Sequence, residues 1–271
     1  HQLVLMGVTV AAANAAEAAT LVLRKRKINL NDGSATVTGL LLALTLPPDF
    51  PLLLACIGAV VAIGLGKQIF GGLGYNIFNP ALVGRAFLAA SFPSAMTAWK
   101  LPSYAIDSIT TATPLAASKF EGILAPVLPS FLGNIGGTLG ETSSLAILAG
   151  GILLVALGIA NWRIPLSMIL GMTALSTVGW LINPAANPSP LFHLFTGGFM
   201  FAAFFMATDW VTSPFSARGK WVFGFGITLL VMIIRWFGGL AEGVMFAVLL
   251  MNAFVPMINR YTTPRLFGVT A

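Results

Sequence analysis

Nine apolar stretches follow one another along the chain, at about residues 3–23, 34–48, 51–67, 72–91, 143–160, 164–182, 190–207, 220–236 and 239–258. Several are near the ~20 residues that a helix needs to span ~30 Å of hydrocarbon. Of 271 residues, 57% are apolar and 8% charged, against roughly 25% charged in an ordinary soluble domain. So few charges cannot cover a surface in water, which excludes a soluble globule. The expected fold is an all-α integral membrane protein. The stretch 34–48 is short and ends at Pro47-Pro48. Such segments read as half-helices, tolerated at membrane depth only where the broken backbone is buried in protein or lines a cavity.

The formal net charge of +6 comes mostly from Lys and Arg near the ends of the apolar stretches, the pattern of membrane topology and not of nucleic-acid binding. Arg24-Lys25-Arg26-Lys27 marks the first connection as cytoplasmic. Strict alternation then puts Lys67, Arg163, Arg218, Lys220, Arg260 and Arg265 on the same side, Lys100, Lys119 and Arg235 opposite, and Arg85 within a span. In this register residue 1 is outside and 92–142 is a long extracytoplasmic loop. The sequence opens at His1, apolar at once and without the basic start and cleavage site of a signal peptide. A cytoplasmic start requires one more helix, so about ten transmembrane helices are expected, nine of them in this chain.

Phe70-Gly71-Gly72-Leu73 opens the fourth apolar stretch and Phe237-Gly238-Gly239-Leu240 the ninth, and each follows a span and, before that, a short segment with a polar, Pro-containing exit. The exits are Thr45-Leu46-Pro47-Pro48-Asp49 and Thr208-Asp209-Trp210-Val211-Thr212-Ser213-Pro214. Five helices per half invert the second half relative to the first, and inverted repeats with broken helices usually surround a midplane site. The expected organisation is a first repeat over 1–92, a loop over 93–142, a second repeat over 143–262 and a cytoplasmic tail over 263–271, an architecture that also suits a urea-channel-like transporter.

The chemistry concentrates in the loop, at Asp107-Ser108-Ile109-Thr110-Thr111-Ala112-Thr113-Pro114-Leu115. Thr113 before Pro114 reads as a helix N-cap with proline at the first position, which leaves backbone N–H groups aimed at whatever sits on Thr113. Two further signatures are Gly71-Gly72-Leu73-Gly74-Tyr75-Asn76-Ile77-Phe78-Asn79-Pro80-Ala81-Leu82-Val83-Gly84-Arg85 and Gly136-Gly137-Thr138-Leu139-Gly140-Glu141-Thr142-Ser143. Glycines at 71, 72 and 74 permit close backbone packing, and Asn76 and Asn79 are placed to hydrogen-bond a polar ring in a low-dielectric cavity. The plainer alternative is a packing motif in which Asn79-Pro80 caps a kink and Arg85 snorkels outward.

On these three stretches the chain resembles the RnfD/NqrB family of redox-driven ion pumps, and the length resembles the shorter D-type member of an Rnf complex. The resemblance implies a bacterial inner-membrane subunit of a complex coupling electron transfer between ferredoxin and NAD to Na⁺ or H⁺ movement, with the Rnf A, B, C, E and G proteins as partners. It implies FMN joined to Thr113 through a phosphoester by a flavin transferase, and a second, non-covalent riboflavin for which Asn76 and Asn79 are the preferred contacts. Asp107, Ser108, Thr110, Thr111 and Ala112 complete the acceptor segment; Thr111 stands where the family commonly has Gly, and Thr110 and Thr111 are alternative hydroxyls. A component of a sodium-pumping NADH:quinone reductase and a flavin-free channel are the other readings.

The resemblance also implies that iron–sulfur and nicotinamide chemistry belongs to the partners, and the sequence agrees, with Cys56 the one cysteine and no Rossmann or P-loop glycine pattern. His1 and His193 are the two histidines, too few for a bis-histidine haem or a His-rich metal cluster. Acidic residues near membrane segments are Glu17, Asp49, Asp209, Glu242 and, at an entry, Glu141. Each is a functional hypothesis because charge is expensive there; Glu242 and Asp209 are the ion-path candidates, with helix capping or a place at the water interface as the bland reading for Asp209.

Overall fold

The computed structural model describes residues 1–99, 112–124, 126–133, 135–184 and 187–264, and every regular element among them is helical. In chain order these are α1 (Gln2–Leu23), α2 (Ser34–Leu44), α3 (Leu52–Gly64), α4 (Pro80–Ser91), α5 (Pro93–Met96), α6 (Pro114–Ala116), α7 (Val127–Leu132), α8 (Ser144–Ala156), α9 (Arg163–Ile182), α10 (Pro190–Phe195), α11 (Phe199–Phe201), α12 (Ala217–Phe237) and α13 (Val244–Thr262). A 3₁₀ turn spans Gln68–Phe70, and π-helical turns continue α6 over Ala117–Glu121 and α11 over Ala202–Met206. Five segments are long and apolar enough to cross a membrane: Gln2–Leu23, Leu52–Phe70, Arg163–Ile182, Ala217–Phe237 and Val244–Thr262. The apolar helices α2, α4 and α8 are shorter.

Local chemistry sets where the helices begin. The Asn79 side chain accepts from the N–H groups of Ala81 and Leu82 at 3.0 and 3.4 Å and Pro80 occupies the first helical position, a strong start signal. The apolar stretch 72–91 is therefore helical only from Pro80. Residues before it form an irregular turn in which Gly71, Gly72 and Gly74 have φ of +125°, +106° and +89°, a region that a side chain disfavours. The stretch 190–207 is broken as well, at Thr196–Gly198, with Gly197 at φ +72°.

Helix α1 packs on α2 and α3, and α3 on α4; later in the chain α9 packs on α10 and α12, and α12 on α13. Helix α4 meets α13 and joins the two groups, and one apolar core containing Leu42, Leu88, Phe199, Met206, Phe223 and Val248 runs through both. Small residues set the approach of α3 and α4, since a Cβ on Gly84 would lie 2.7 Å from the Gly58 carbonyl oxygen. Leu3, Leu23, Leu53, Ile182 and Phe237 are exposed on the outside, where lipid is a suitable solvent.

Connections gather at two ends. At one, Arg26 donates to the Gly71 carbonyl at 3.2 Å, Lys67 to Ser34 Oγ at 2.5 Å and Trp210 Nε1 to the Ile159 carbonyl at 2.6 Å. At the other, His1 Nε2 lies 3.2 Å from the Phe50 carbonyl, and Lys119 Nζ donates to the carbonyls of Ile234, Gly238 and Leu240 at 3.0, 2.5 and 2.9 Å. Two cations expected in connections from their place beside apolar stretches are instead inside the protein. Lys67 is 1% exposed and Arg235 5%, because each finds partners there. Lys67 Nζ reaches both oxygens of the buried Glu17 at 2.6 and 2.8 Å, and Gln68 Nε2 reaches Glu17 Oε1 at 3.1 Å.

Removing one member of such a pair leaves the other charge buried and alone, which costs about 3–5 kcal/mol. Lys67→Ala is expected to lower thermal stability in detergent by that order, and Lys67→Ala with Glu17→Gln to recover much of it. Equal melting of the wild type and Lys67→Ala would refute the buried pair.

Candidate functional site

A helix broken inside a bilayer leaves N–H and C=O groups that only protein can satisfy. The break between α10 and α11 is answered by side chains from three other elements. Arg235, on α12, donates Nη1 to the His193 carbonyl at 2.7 Å and Nη2 to the Thr196 carbonyl at 3.1 Å. Ser144, at the start of α8, donates its hydroxyl to the Phe195 carbonyl at 3.3 Å. On the other side of the break the Gly198 N–H donates to Glu242 Oε1, just before α13. The positive end of the helical run that begins at Phe199 thus meets a carboxylate, the favourable polarity.

A second carboxylate converges on the same glycine. A Cβ on Gly198 would lie 2.9 Å from Glu242 Oε1 and 3.1 Å from Glu141 Oε2. Glu141 is buried; its Oε1 accepts from the Thr138 N–H at 2.9 Å, and its Oε2 has no partner. The loop that carries it also satisfies the end of α2, where Gly140 and Leu139 donate to the carbonyls of Leu44 and Leu46 at 2.7 and 3.2 Å. Arg85 of α4 turns inward, 3.5 Å from Glu242 Oε2. Arg85 and Glu242 line a small cavity of about 40 Å³ with Thr45, Gly198 and Met206.

Two larger cavities flank this charged centre. One, of about 620 Å³, lies between the segment after Thr113 (Leu115, Ser118, Lys119) and the helices carrying Phe192, His193, Arg235 and Trp236. The other, of about 530 Å³, is lined by Asp32, Lys67, Asn76, Asn79, Phe205 and Asp209 among others and lies between the two helix groups. Both fall within the range of small-molecule sites.

Thr113 is half-buried, and its hydroxyl accepts from the Ala116 N–H at 3.2 Å as the cap of α6, beside the exposed Ala112. Asp107, Ser108, Thr110 and Thr111 lie outside the described residues. Partial burial holds the Lys119 ammonium below the ordinary lysine range. Asn76 and Asn79 are both buried at the 530 Å³ cavity. Asn76 donates to the Phe78 carbonyl at 3.2 Å, while Asn79 donates to the Met206 carbonyl at 3.1 Å as well as capping α4. Asp209 closes its own turn, accepting from the Val211 N–H and the Thr212 hydroxyl at 3.3 and 2.9 Å, and is not in contact with Glu242's cavity.

Arg235, Trp236 and Asn252 carry more of this centre than their sequence positions announce. Asn252 of α13 accepts from the Asn79 N–H at 3.2 Å and donates to the Thr212 carbonyl at 3.0 Å. A signal for two of these residues existed: Arg85 follows Phe70 by as many residues as Asn252 follows Phe237, and Gln68 and Arg235 each stand two residues before that phenylalanine.

Five helices long and apolar enough to cross a membrane, with charged side chains buried at a helix break, define a class, a multi-pass membrane protein. The NQR2, RnfD, RnfE family matches residues 1–268, and the chain belongs to it. It is 44% identical to the D-type subunit of the ion-translocating oxidoreductase complex of Stutzerimonas stutzeri, over 97% of this chain and 84% of that protein. It is 43% identical to the D-type subunit of the Na⁺-translocating ferredoxin:NAD⁺ oxidoreductase complex of Acetobacterium woodii, over 99% and 83%. Against the D-type subunit of the proton-translocating ferredoxin:NAD⁺ oxidoreductase complex of Clostridium ljungdahlii the identity is 42%, over 90% and 77%.

Asn252→Ala strips two buried backbone groups of their partner, at about 1–3 kcal/mol each where desolvated. The variant is expected to melt several degrees below the wild type in detergent. An unchanged melting curve would show that α4 and the 206–212 segment do not depend on this tie.

Proposed function

We propose that the chain is the D-type membrane subunit of a multi-subunit ferredoxin:NAD⁺ oxidoreductase that moves Na⁺ or H⁺ across the bacterial cytoplasmic membrane. Its own contribution is to hold flavin on a membrane scaffold, while iron–sulfur and nicotinamide chemistry belongs to its partners, the Rnf A, B, C, E and G proteins. The observation that carries this reading is Thr113, a hydroxyl at a helix N-cap beside exposed Ala112, leading directly into the wall of a 620 Å³ aromatic-lined cavity.

FMN on Thr113 requires an acceptor that a transferase can reach, and a small flanking residue such as Ala112 admits one. The residues present fit the group. Among the described residues five buried side-chain polar atoms lack a partner, and three of them belong to residues of this cavity. When bound, the flavin supplies the one-electron and two-electron chemistry that no side chain here provides. The 530 Å³ cavity, with Asn76 and Asn79 in its wall, is the proposed place for a non-covalent riboflavin. The loop of Thr113 is assigned to the extracytoplasmic side, because the cluster Arg24–Lys27 lies at the opposite end from Lys119.

The inward-facing charges suit two inverted repeats meeting at the membrane centre. Arg85 of the first half reaches the turn before α13 in the second, and Asn252 of the second reaches the turn before α4 in the first. Glu242, with Glu141 beside it, is the assigned ion-path group.

Thr113→Ala, made alongside the flavin transferase, is expected to abolish fluorescence of the denatured subunit in a gel. Fluorescence that survives moves the acceptor to Thr110 or Thr111, and a wild-type band that never fluoresces favours a flavin-free transporter. Glu242→Gln is expected to slow ion uptake by proteoliposomes on the order of tenfold, the effect of about 1.4 kcal/mol on a barrier, with covalent flavin retained; normal uptake would remove Glu242 from the path.

A further inference from the structure

A third cavity, of about 410 Å³, opens where α9 and α12 begin. It shares Ala160, Thr208 and Trp210 with the 530 Å³ cavity, whose wall includes Asp32 and Ser34, so it lies at the end of the molecule that carries Arg24–Lys27. Lys220 of α12 is in its wall. Arg163, the first residue of α9, stands beside it: its Cζ lies 4.9 Å over the Trp162 ring, which meets the Trp221 ring edge-on at 6.3 Å. The two cations are near enough to repel each other. Among the described residues neither side chain is ion-paired or hydrogen-bonded. Two neutral donors in the same wall are also free. Ser213 is 5% exposed and its hydroxyl, open to the cavity, has no partner among the described residues. Asn161 accepts from the Arg163 N–H through Oδ1 at 3.2 Å and leaves its amide N–H groups unused. No carboxylate lines the described wall; that of Asp209 closes its own turn and borders the 530 Å³ cavity.

Free donors beside two like charges make an anion site, because one anion relieves the repulsion and satisfies the donors together. Helices α9 and α12 both direct their positive ends here and add to the field. The surroundings suit a lipid better than a soluble anion. Val155, Pro214 and Phe215 complete the wall, and Trp162 and Trp210 are 46% and 73% exposed, indoles of the kind that sit at headgroup level. From the cavity, exposed apolar residues continue at four-residue steps along one face of each helix, Trp162, Leu166 and Leu170 on α9 and Trp221, Phe225 and Leu229 on α12. The two rows run side by side, since a Cβ on Gly171 of α9 would lie 3.1 Å from the Phe225 ring. We propose that this cavity binds the phosphodiester of an anionic glycerophospholipid, with Arg163, Lys220, Ser213 and Asn161 as donors and the paired rows of α9 and α12 as the seat of an acyl chain. Basic pockets between transmembrane helices on the cytoplasmic side favour such headgroups. The assignment does not rest on either flavin proposed above.

Native mass spectrometry of the full chain, delipidated in detergent and titrated separately with phosphatidylglycerol, phosphatidylcholine and inorganic phosphate, tests the site. One phosphatidylglycerol is expected to bind severalfold more tightly than phosphatidylcholine, and inorganic phosphate at the same concentration is expected not to displace it. Lys220→Gln and Arg163→Gln should each weaken phosphatidylglycerol binding about fivefold, the worth of one cation near an anionic headgroup, and Ser213→Ala by a smaller factor. Lys27→Gln removes an exposed cation at the same end and should keep the wild-type affinity. Equal affinity for the two lipids, inorganic phosphate as effective as the lipid, or the same loss in Lys27→Gln as in Lys220→Gln would overturn the site. If Arg163→Gln fails to accumulate for want of its stacking on Trp162, Lys220→Gln and Ser213→Ala decide, and wild-type phosphatidylglycerol affinity in both overturns it.

Discussion

The structure depends on how a polypeptide can be interrupted inside hydrocarbon. Each unpaired N–H or C=O at that depth costs several kcal/mol, so the breaks at Leu44–Leu46 and Thr196–Gly198 exist only because other segments supply partners. At the first, the loop 138–141 lends its backbone N–H groups. At the second, backbone partners are replaced by Arg235, Glu242 and Ser144. The second solution is more expensive, because it brings charged groups out of water. It also leaves those groups available to a ligand or an ion, which a backbone pairing would not. The buried charges are thus structural, through the contacts that satisfy the break.

The membrane character and the number of apolar segments were legible because they depend on composition over windows of about 20 residues. All nine stretches contain helix. The interruptions were legible only in part. Pro47-Pro48 and the short length of 34–48 signalled one break. The stretch 190–207 carries its break at Thr196-Gly197-Gly198, and polarity there is mild because the balancing charge comes from residues 235 and 242. The turn over 71–79 was hidden by its apolar glycines and leucine, although three glycines at positive φ forbid a helix.

Charge was the least legible layer. A lone Lys or Arg beside an apolar run reads as a loop anchor, since that is where most such residues lie. Lys67 and Arg235 fail this rule because their partners are distant in sequence: Glu17 and Ser34 for the first, the carbonyls of His193 and Thr196 for the second. The repeated Phe-Gly-Gly-Leu also conceals a divergence. In the first copy Gly71 and Gly72 are at positive φ, while in the second Gly238 is at −77° and leaves α12 in an extended conformation. The position two residues before the phenylalanine holds Gln68 in one half and Arg235 in the other. The same place in the two halves therefore carries a neutral amide facing a Lys–Glu pair and a guanidinium facing a cavity.

That difference makes the two positions unequal in what they hold. Arg235 holds the Thr196 carbonyl and Glu242 holds the Gly198 N–H, so a cation at one cavity and a carboxylate at the centre grip residues of a single short hinge. Gly197, at φ +72°, is the one residue between them. Neither side chain can withdraw without stripping a buried backbone group of its partner, in a medium where that loss is large. The turn Gly238–Gly243 ties Arg235 and Glu242 together on the opposite side and is itself held by Lys119, through Gly238 and Leu240, from the segment that follows Thr113. A continuous set of hydrogen bonds runs from the segment after Thr113 through the turn Gly238–Gly243 to Glu242 and the break, and a directed bond cannot relax by the small shifts that a packed apolar core allows.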